Sequence, residues 1–211
     1  MSSLAAQAPR ERLVAAAEAQ FRRFGYKRTT VEDITANAGT GKGSLYLHFD
    51  SKEAVYLAVV EASLERFVET ATTTLRGRGS VTRRLSTLVE ATAEHYGHDE
   101  LLRASLLGES HLVDGRAAAL AAEIQRTRIR GLLADIIGEG RRDGSVRSDL
   151  DAETAAAVLF EMGWGVVRAG LEDVTGVPLD AQLACTLTAA LANDYWIFIS
   201  QHAVERIILK S

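Results

Sequence analysis

An all-α fold is predicted by three observations. The 211 residues include only 2 Pro, no Asn-Gly or Asp-Gly turn separates alternating apolar runs, and the helix-favouring residues Ala, Leu, Arg and Glu are abundant. With 47% hydrophobic and 25% charged residues the chain can bury a substantial core, which excludes disorder over most of its length. A lone cysteine, Cys185, excludes an intramolecular disulfide and a Cys-based zinc cluster. The first nine residues hold no basic segment followed by a long apolar one, and no window reaches the ~20 apolar residues of a membrane span. A cytoplasmic protein with no membrane partner is therefore expected.

About nine helices are predicted. Between Arg10 and Phe24, the residues Leu13, Ala17, Phe21 and Phe24 fall at helical spacing, and Gly25 follows where a C-terminal cap belongs. Thr30 with Asp33 reads as a capping box that opens a short second helix over about Thr30 to Ala38, ended by Gly39. A third short helix begins near Gly41 or Lys42 and carries Leu45, Tyr46 and Phe49. Asp50 with Glu53 then reads as the cap of a longer fourth helix, running to the polar stretch Gly77-Arg78-Gly79-Ser80. The stripe Val81, Leu85, Leu88, Val89 and Thr92 makes the fifth helix, ending near Gly97, and Leu101 to Leu112 the sixth. Leu120, Ile124, Gly131, Leu132 and Ile136 mark a seventh from Arg116, stopped by the run Gly138 to Gly144.

The last third predicts two apolar helices, from about Asp151 to Gly170 and from about Leu179 to Val204, separated by Gly176-Val177-Pro178. The eighth carries two adjacent stripes, Ala155, Leu159, Met162 and Val166 beside Ala156, Phe160, Trp164 and Val167. A helix with two apolar faces needs two partners. A thick core satisfies that, and so does a second copy of the chain, since the ninth helix offers Leu183, Leu187, Leu191, Tyr195 and Phe198 around much of its circumference.

Net charge is -4, but it is unevenly placed. Residues 1–55 hold eight Lys or Arg against six Asp or Glu, and three of the four lysines, Lys27, Lys42 and Lys52, lie there. A slightly basic N-terminal module on an acidic body follows. Within it, two short helices joined by a turn containing Gly39 have the dimensions of a helix-turn-helix, whose second helix enters the major groove. The small residues Thr40, Gly41, Gly43 and Ser44 at the leading end of that helix let its backbone approach a duplex closely.

The same segment resembles the tetracycline-repressor (TetR) family. The pattern of that family is matched by Thr30, Val31, Ile34, Ala38, Gly39, Gly43, Leu45, Tyr46, His48, Phe49, Lys52 and Glu53. Gly41 stands where the family usually has Ser, and Thr35 where it usually has Ala. The resemblance implies a flexible arm over 1–9, a three-helix DNA-binding domain over 10–55, and an effector-binding and dimerisation domain over 56–211. Lys42, Thr40 and Ser44 are then the expected base-edge contacts, with Gly43 giving close approach. Tyr46, His48, Lys52 and Thr30 are the expected contacts to the sugar-phosphate backbone.

In the larger half the resemblance implies a cavity for a small molecule and a homodimer. Leu88, Thr92, Leu106, Phe160 and Trp164 are the expected cavity walls, with His95 and His111 as polar anchors. Leu159, Val166, Leu187, Leu191 and Tyr195 are the expected dimer contacts. The chain so read is a ligand-responsive transcriptional regulator, a repressor that binds a palindromic double-stranded DNA operator as a homodimer and is released by a small-molecule effector, with no cofactor and no metal. An effector-independent DNA binder is the alternative. A metal sensor built on His95, His98, His111, Glu94 and Glu109 is a further one. For an enzyme the sequence lacks any nucleophile elbow, phosphate loop, dinucleotide fingerprint or paired-His zinc motif.

Overall fold

A computed structural model describes residues 8–75, 81–107 and 113–171, and among these residues there are eight helices and no strand. They are α1 (Pro9–Phe24), α2 (Val31–Asn37), α3 (Lys42–Tyr46), α4 (Lys52–Leu75), α5 (Val81–His98), α6 (Glu100–Leu107), α7 (Gly115–Asp143) and α8 (Ala152–Leu171). The expected ninth helix lies outside the described residues. No helix among the described residues is long and apolar enough to cross a membrane.

Most boundaries follow local chemistry. Pro9 occupies the first turn of α1, where its missing N–H is not needed. The start of α4 differs from expectation: Ser51 caps it by accepting the Ala54 N–H at 3.1 Å, in place of Asp50. Asp114 accepts the N–H groups of Arg116 and Ala117, and Asp151 that of Thr154, so α7 and α8 both begin on a carboxylate. The run from Gly138 does not stop α7. The helix continues through Gly138 and Gly140 to Asp143, and Gly144, at φ +81°, ends it in the left-handed conformation. Gly140 has a packing reason to be there, because a Cβ at that position would lie within 3 Å of the side chains of Val81 and Val146.

By contacts the described residues form two compact units: those up to Thr70 with those of 95–128, and those of 71–94 with those of 129–171. In the first, α1 touches α2, α3 and α6, and α2 touches α3. Its core holds Leu13, Ala17, Phe21, Ile34, Leu45, Val55 and Tyr56, all at or below 1% exposure. Each large apolar side chain so buried contributes roughly 1.5–3 kcal/mol. Phe21, Tyr26 and Tyr56 form a three-ring cluster with centroids 5.0 to 5.7 Å apart. The Ser105 hydroxyl donates to the Leu101 carbonyl (2.8 Å), so its oxygen takes the Tyr56 hydroxyl at 2.6 Å and bonds α4 to α6. Burial pushes the Tyr56 phenol up to about 12, keeping that proton in place.

Asp99, between α5 and α6, is a carboxylate only 4% exposed. It accepts hydrogen bonds from Arg22 Nη2 of α1 (2.7 Å), Ser63 Oγ of α4 (2.9 Å) and the Leu102 N–H in the first turn of α6 (3.1 Å). Glu18 accepts from Arg22 (3.0 Å) and from Arg66 of α4 (2.8 Å), adding a second bridge between α1 and α4. Burial alone would raise the Asp99 pKa, but the bonds from Arg22, Leu102 and Ser63 hold it below the usual carboxylate range.

In the second unit the core holds Leu75, Val81, Leu85 and Leu88 with Leu132, Ile136, Ile137, Ala155, Ala156 and Phe160. Arg84, 8% exposed, is paired with Glu139 at 2.5 Å and links α5 to α7 within this unit.

The Asp99 bonds give a signed pH dependence. A depressed folded pKa contributes stability above the unfolded value of ~3.9, and the contribution is lost as pH falls through the folded value. Asp99→Asn is expected to destabilise the protein by about 3 kcal/mol at neutral pH, because Arg22 loses its buried counter-charge. It should also flatten the acid limb of the stability profile. Urea denaturation from pH 7 to 3 checks both.

Candidate nucleic-acid interface and ligand cavity

The helix-turn-helix is built from local bonds and two apolar anchors. The Thr30 hydroxyl accepts the Asp33 N–H (3.2 Å), while the Asp33 carboxylate accepts the Thr30 N–H (2.8 Å) and hydroxyl (2.6 Å), a complete capping box. Those bonds hold the Asp33 pKa low. At the other end of α2 the chain reverses through Gly39, at φ +66°, and the Thr40 N–H donates to the Thr35 carbonyl at 2.9 Å. Thr35 is buried, and its hydroxyl is satisfied by the Glu32 carbonyl (3.2 Å). Ile34 and Leu45, both fully buried, pin α2 and α3 to the core.

What remains outside is the expected DNA-facing surface. Lys42, Gly43, Tyr46 and His48 are exposed, and Thr40 and Ser44 are half-buried. Gly41 caps α3 with no side chain, and a Cβ at Gly41 or Gly43 would meet nothing within 4 Å, so the backbone there is open to a partner. Lys42 is paired with Glu32 of α2, which lowers the Glu32 pKa. Both side chains are more than half exposed, so the pair is weak and exchangeable for a phosphate or a base edge. Leu47, at the end of α3 and 83% exposed, shares this surface. Sequence reasoning passed over it, because a leucine beside Leu45 and Phe49 reads as core.

Lys52 is placed differently from its expected phosphate contact. Its ammonium donates to the carbonyls of Tyr26 and Thr29, each at 2.9 Å, and lies 4.4 Å from the centroid of the Tyr26 ring. Burial lowers its pKa. The residue ties the first turn of α4 to the connection between α1 and α2, where Thr29 in turn donates through its hydroxyl to Gly25.

The second unit contains a cavity of about 30 Å³ lined by Leu88, Val89, Thr92, Ile129, Leu133, Leu159, Phe160, Gly163 and Trp164. Its wall carries no charge. The one hydroxyl, on Thr92, is committed to the Leu88 carbonyl at 2.7 Å. Phe160 and Trp164 stack at 5.1 Å. Leu88, Thr92, Phe160 and Trp164 were expected here. Leu159, an expected dimer contact, lies on the cavity wall. Val89 is legible in the sequence only as part of the α5 stripe, and Ile129, Leu133 and Gly163 carry no signal there.

His95 is not on this wall. It belongs to the first unit, where its ring stacks on Phe67 at 4.8 Å and meets the edge of Tyr96, and burial lowers its pKa. The side chains of Leu106 and Val166, and all of His111, Leu187, Leu191 and Tyr195, lie outside the described residues. Among the described residues, no three His, Cys, Asp or Glu side chains gather as a metal ion requires.

Known proteins are similar to this chain in sequence and in fold. The signature of "Bacterial regulatory proteins, tetR family" matches residues 13–59. The HTH-type transcriptional repressor KstR2 of Rhodococcus jostii strain RHA1 is 31% identical over 163 residues, covering 75% of this chain and 78% of its own length. The HTH-type transcriptional repressor DhaR of Mycobacterium sp. strain GP1 is 28% identical over 194 residues, 87% and 93% of the two chains. Among solved structures, the transcriptional regulator FadR of Bacillus subtilis, in complex with stearoyl-CoA, superposes with a TM-score of 0.64 at 19% identity over 86% of this chain and 97% of that one. FadR of Thermus thermophilus, in complex with lauroyl-CoA, gives 0.65 at 24% identity over 86% and 94%. At these identities the two structures establish the fold.

The position of Lys52 has a consequence for stability and for DNA binding. Lys52→Met is expected to lower stability by about 1 to 2 kcal/mol, since two carbonyls lose their donor. It should also weaken random and specific duplexes by similar factors, because a loosened headpiece binds every sequence less well. Thermal melts and fluorescence anisotropy on both kinds of DNA check the pair of effects. A loss confined to the specific duplex would contradict the role as a tie.

Proposed function

The chain belongs to the tetR family of bacterial regulatory proteins and is a ligand-responsive transcriptional repressor; from that premise we propose how its own residues divide the work. Residues 10–55 read the operator and residues 56–211 hold the effector and the dimer contacts. Lys42, Thr40 and Ser44 face base edges, with Gly43 allowing close approach, while Tyr46, His48 and Thr30 meet the sugar-phosphate backbone. The observation that carries this reading is the exposed face of α3, mounted on a buried Leu45 and set by a complete capping box at Thr30. Lys52 contributes by fixing α4 to the headpiece.

The effector is proposed to enter the cavity between Leu88 and Trp164. At about 30 Å³ it is far short of the several hundred Å³ of a site that holds an effector. Its wall must therefore part on binding, and that displacement is the work a ligand can direct against the DNA-bound arrangement. The uncharged wall calls for an apolar moiety. Since two proteins of this fold hold acyl-CoA, an acyl chain is the first chemistry to test. The dimer is proposed to form through the C-terminal half of α8 and the segment carrying Leu187, Leu191 and Tyr195. Two headpieces then read half-sites one helical turn, ~34 Å, or a multiple of it apart.

The experiment is a titration of the duplex immediately upstream of the gene, by anisotropy, with and without lauroyl-CoA and stearoyl-CoA. Affinity is expected to fall steeply with salt as neutralised phosphates release counterions. Lys42→Ala should cost more on this duplex than on random DNA. A releasing ligand should weaken DNA binding by ~5- to 150-fold, and DNA should weaken ligand binding by the same factor. Trp164 fluorescence, with Trp196 replaced, reports ligand entry. Equal losses for Lys42→Ala on both duplexes, or a bound ligand with no effect on DNA, would contradict the scheme.

A further inference from the structure

A DNA complex draws most of its affinity from cations that neutralise phosphates, and the contacts named so far supply few of them. Thr30, Tyr46 and His48 offer hydroxyls and an imidazole, groups without a permanent charge. Lys42 is paired with Glu32, Lys52 spends its ammonium on the carbonyls of Tyr26 and Thr29, and Arg22 is held by Asp99 and Glu18. Arg10, Arg23 and Arg28 are exposed, and among the described residues no carboxylate bonds to any of them. Arg10 lies over the ring of Phe49, 5.1 Å from its centroid, and Phe49 directly follows the exposed His48. Glu11, Glu18, Glu61 and Glu65 line a groove that Arg10 borders, yet none pairs with it. A guanidinium over an aromatic face is held in place while its N–H fork stays open to an anion. Arg28 stands between the two carbonyls that Lys52 grips. Tyr26 and Thr29 are buried, so the turn is fixed and Arg28, two residues before Thr30, is carried on its exposed side. Arg23 lies over Phe24 at the C-terminal end of α1 and adjoins no expected contact.

We propose that Arg10 and Arg28 are the phosphate-binding cations of the headpiece, one beside His48 and the other beside Thr30, and that they carry the charge that Lys52 has turned inward. Each guanidinium can meet a phosphate through two parallel N–H donors, which a lysine cannot do. Lys52 then serves the DNA indirectly, by setting the turn on which Arg28 stands. The proposal rests on the operator-binding reading and deepens it, because it names the residues that supply the part of the affinity shared by every sequence. Arg23, an exposed arginine of the same helix as Arg10, has no such place and serves as the control for net charge alone.

The test measures the affinity of the full chain for the duplex upstream of the gene and for a random duplex, from ~50 to 200 mM KCl, and reads the slope of log affinity against log salt. Each phosphate lost lowers the slope by ~0.9, so Arg10→Gln and Arg28→Gln are each expected to lower it by about 1.8 for the two headpieces of a dimer, on both duplexes. Arg10→Lys and Arg28→Lys should restore the slope while leaving affinity below the parent's, since charge returns without the fork. Lys52→Met should bind more weakly with the parent's slope, and Arg23→Gln should change neither. Thermal melts of the arginine variants are expected to match the parent's, as the side chains are exposed. The proposal is overturned if Arg10→Gln or Arg28→Gln keeps the parent's slope, or if Arg23→Gln lowers it as much as they do. The two readings separate on the parent: one that binds no duplex overturns operator binding and the clamp together, whereas one that prefers the upstream duplex while its glutamine variants keep the slope overturns the clamp alone.

Discussion

A single buried carboxylate sets the geometry on which the DNA-binding end depends. Asp99 costs several kcal/mol to take out of water, and only the full set of bonds from Arg22, Ser63 and the Leu102 N–H offsets that cost. Because the donors come from α1, α4 and α6, the group is satisfied in one arrangement of those three helices. Lys52 on the carbonyls of Tyr26 and Thr29, and Tyr56 on Ser105, repeat the logic at two more points. Apolar packing would tolerate small slides between helices. Directional bonds to buried groups do not, and the headpiece is therefore held in place relative to α4 and α6.

That constraint matters because the reading element is too short to stand alone. The five residues of α3 are far below the length at which an isolated helix is stable in water. Its position is inherited from Leu45 and Ile34 in the core, from the turn at Gly39 and from the bonds that fix α1 and α4. The exposed residues can then be spent on contact: Lys42 is held only by a weak pair to Glu32, and the glycines on either side of it leave the backbone open.

How much was legible in the sequence followed the distance over which each signal acts. The capping box at Thr30 and Asp33, the turn at Gly39 and the apolar stripes of α1 and α5 are local, and they could be read. The roles of Asp99 and Lys52 as ties could not, because Arg22 and Ser63 lie 77 and 36 residues from Asp99 and the Tyr26 and Thr29 carbonyls 26 and 23 from Lys52, and the local cap of Asp99 on Leu102 reveals none of them. Gly138 and Gly140 read as a stop for α7, yet their helix penalty of ~1 kcal/mol each is outweighed by the buried residues around them. His95 looked like a cavity anchor, since nothing in its vicinity in sequence reveals Phe67.

The bonds to Asp99 make α1, α4 and α6 one cooperative body. Native-state hydrogen exchange by mass spectrometry on the parent and on Asp99→Asn tests it most directly, because exchange reports which segments open together. The variant is expected to lose protection jointly in α1, in the part of α4 around Ser63 and in α6, with a common opening free energy, while α8 keeps its own. Loss of protection limited to the first turn of α6 would show that Asp99 is only a helix cap and would contradict the account.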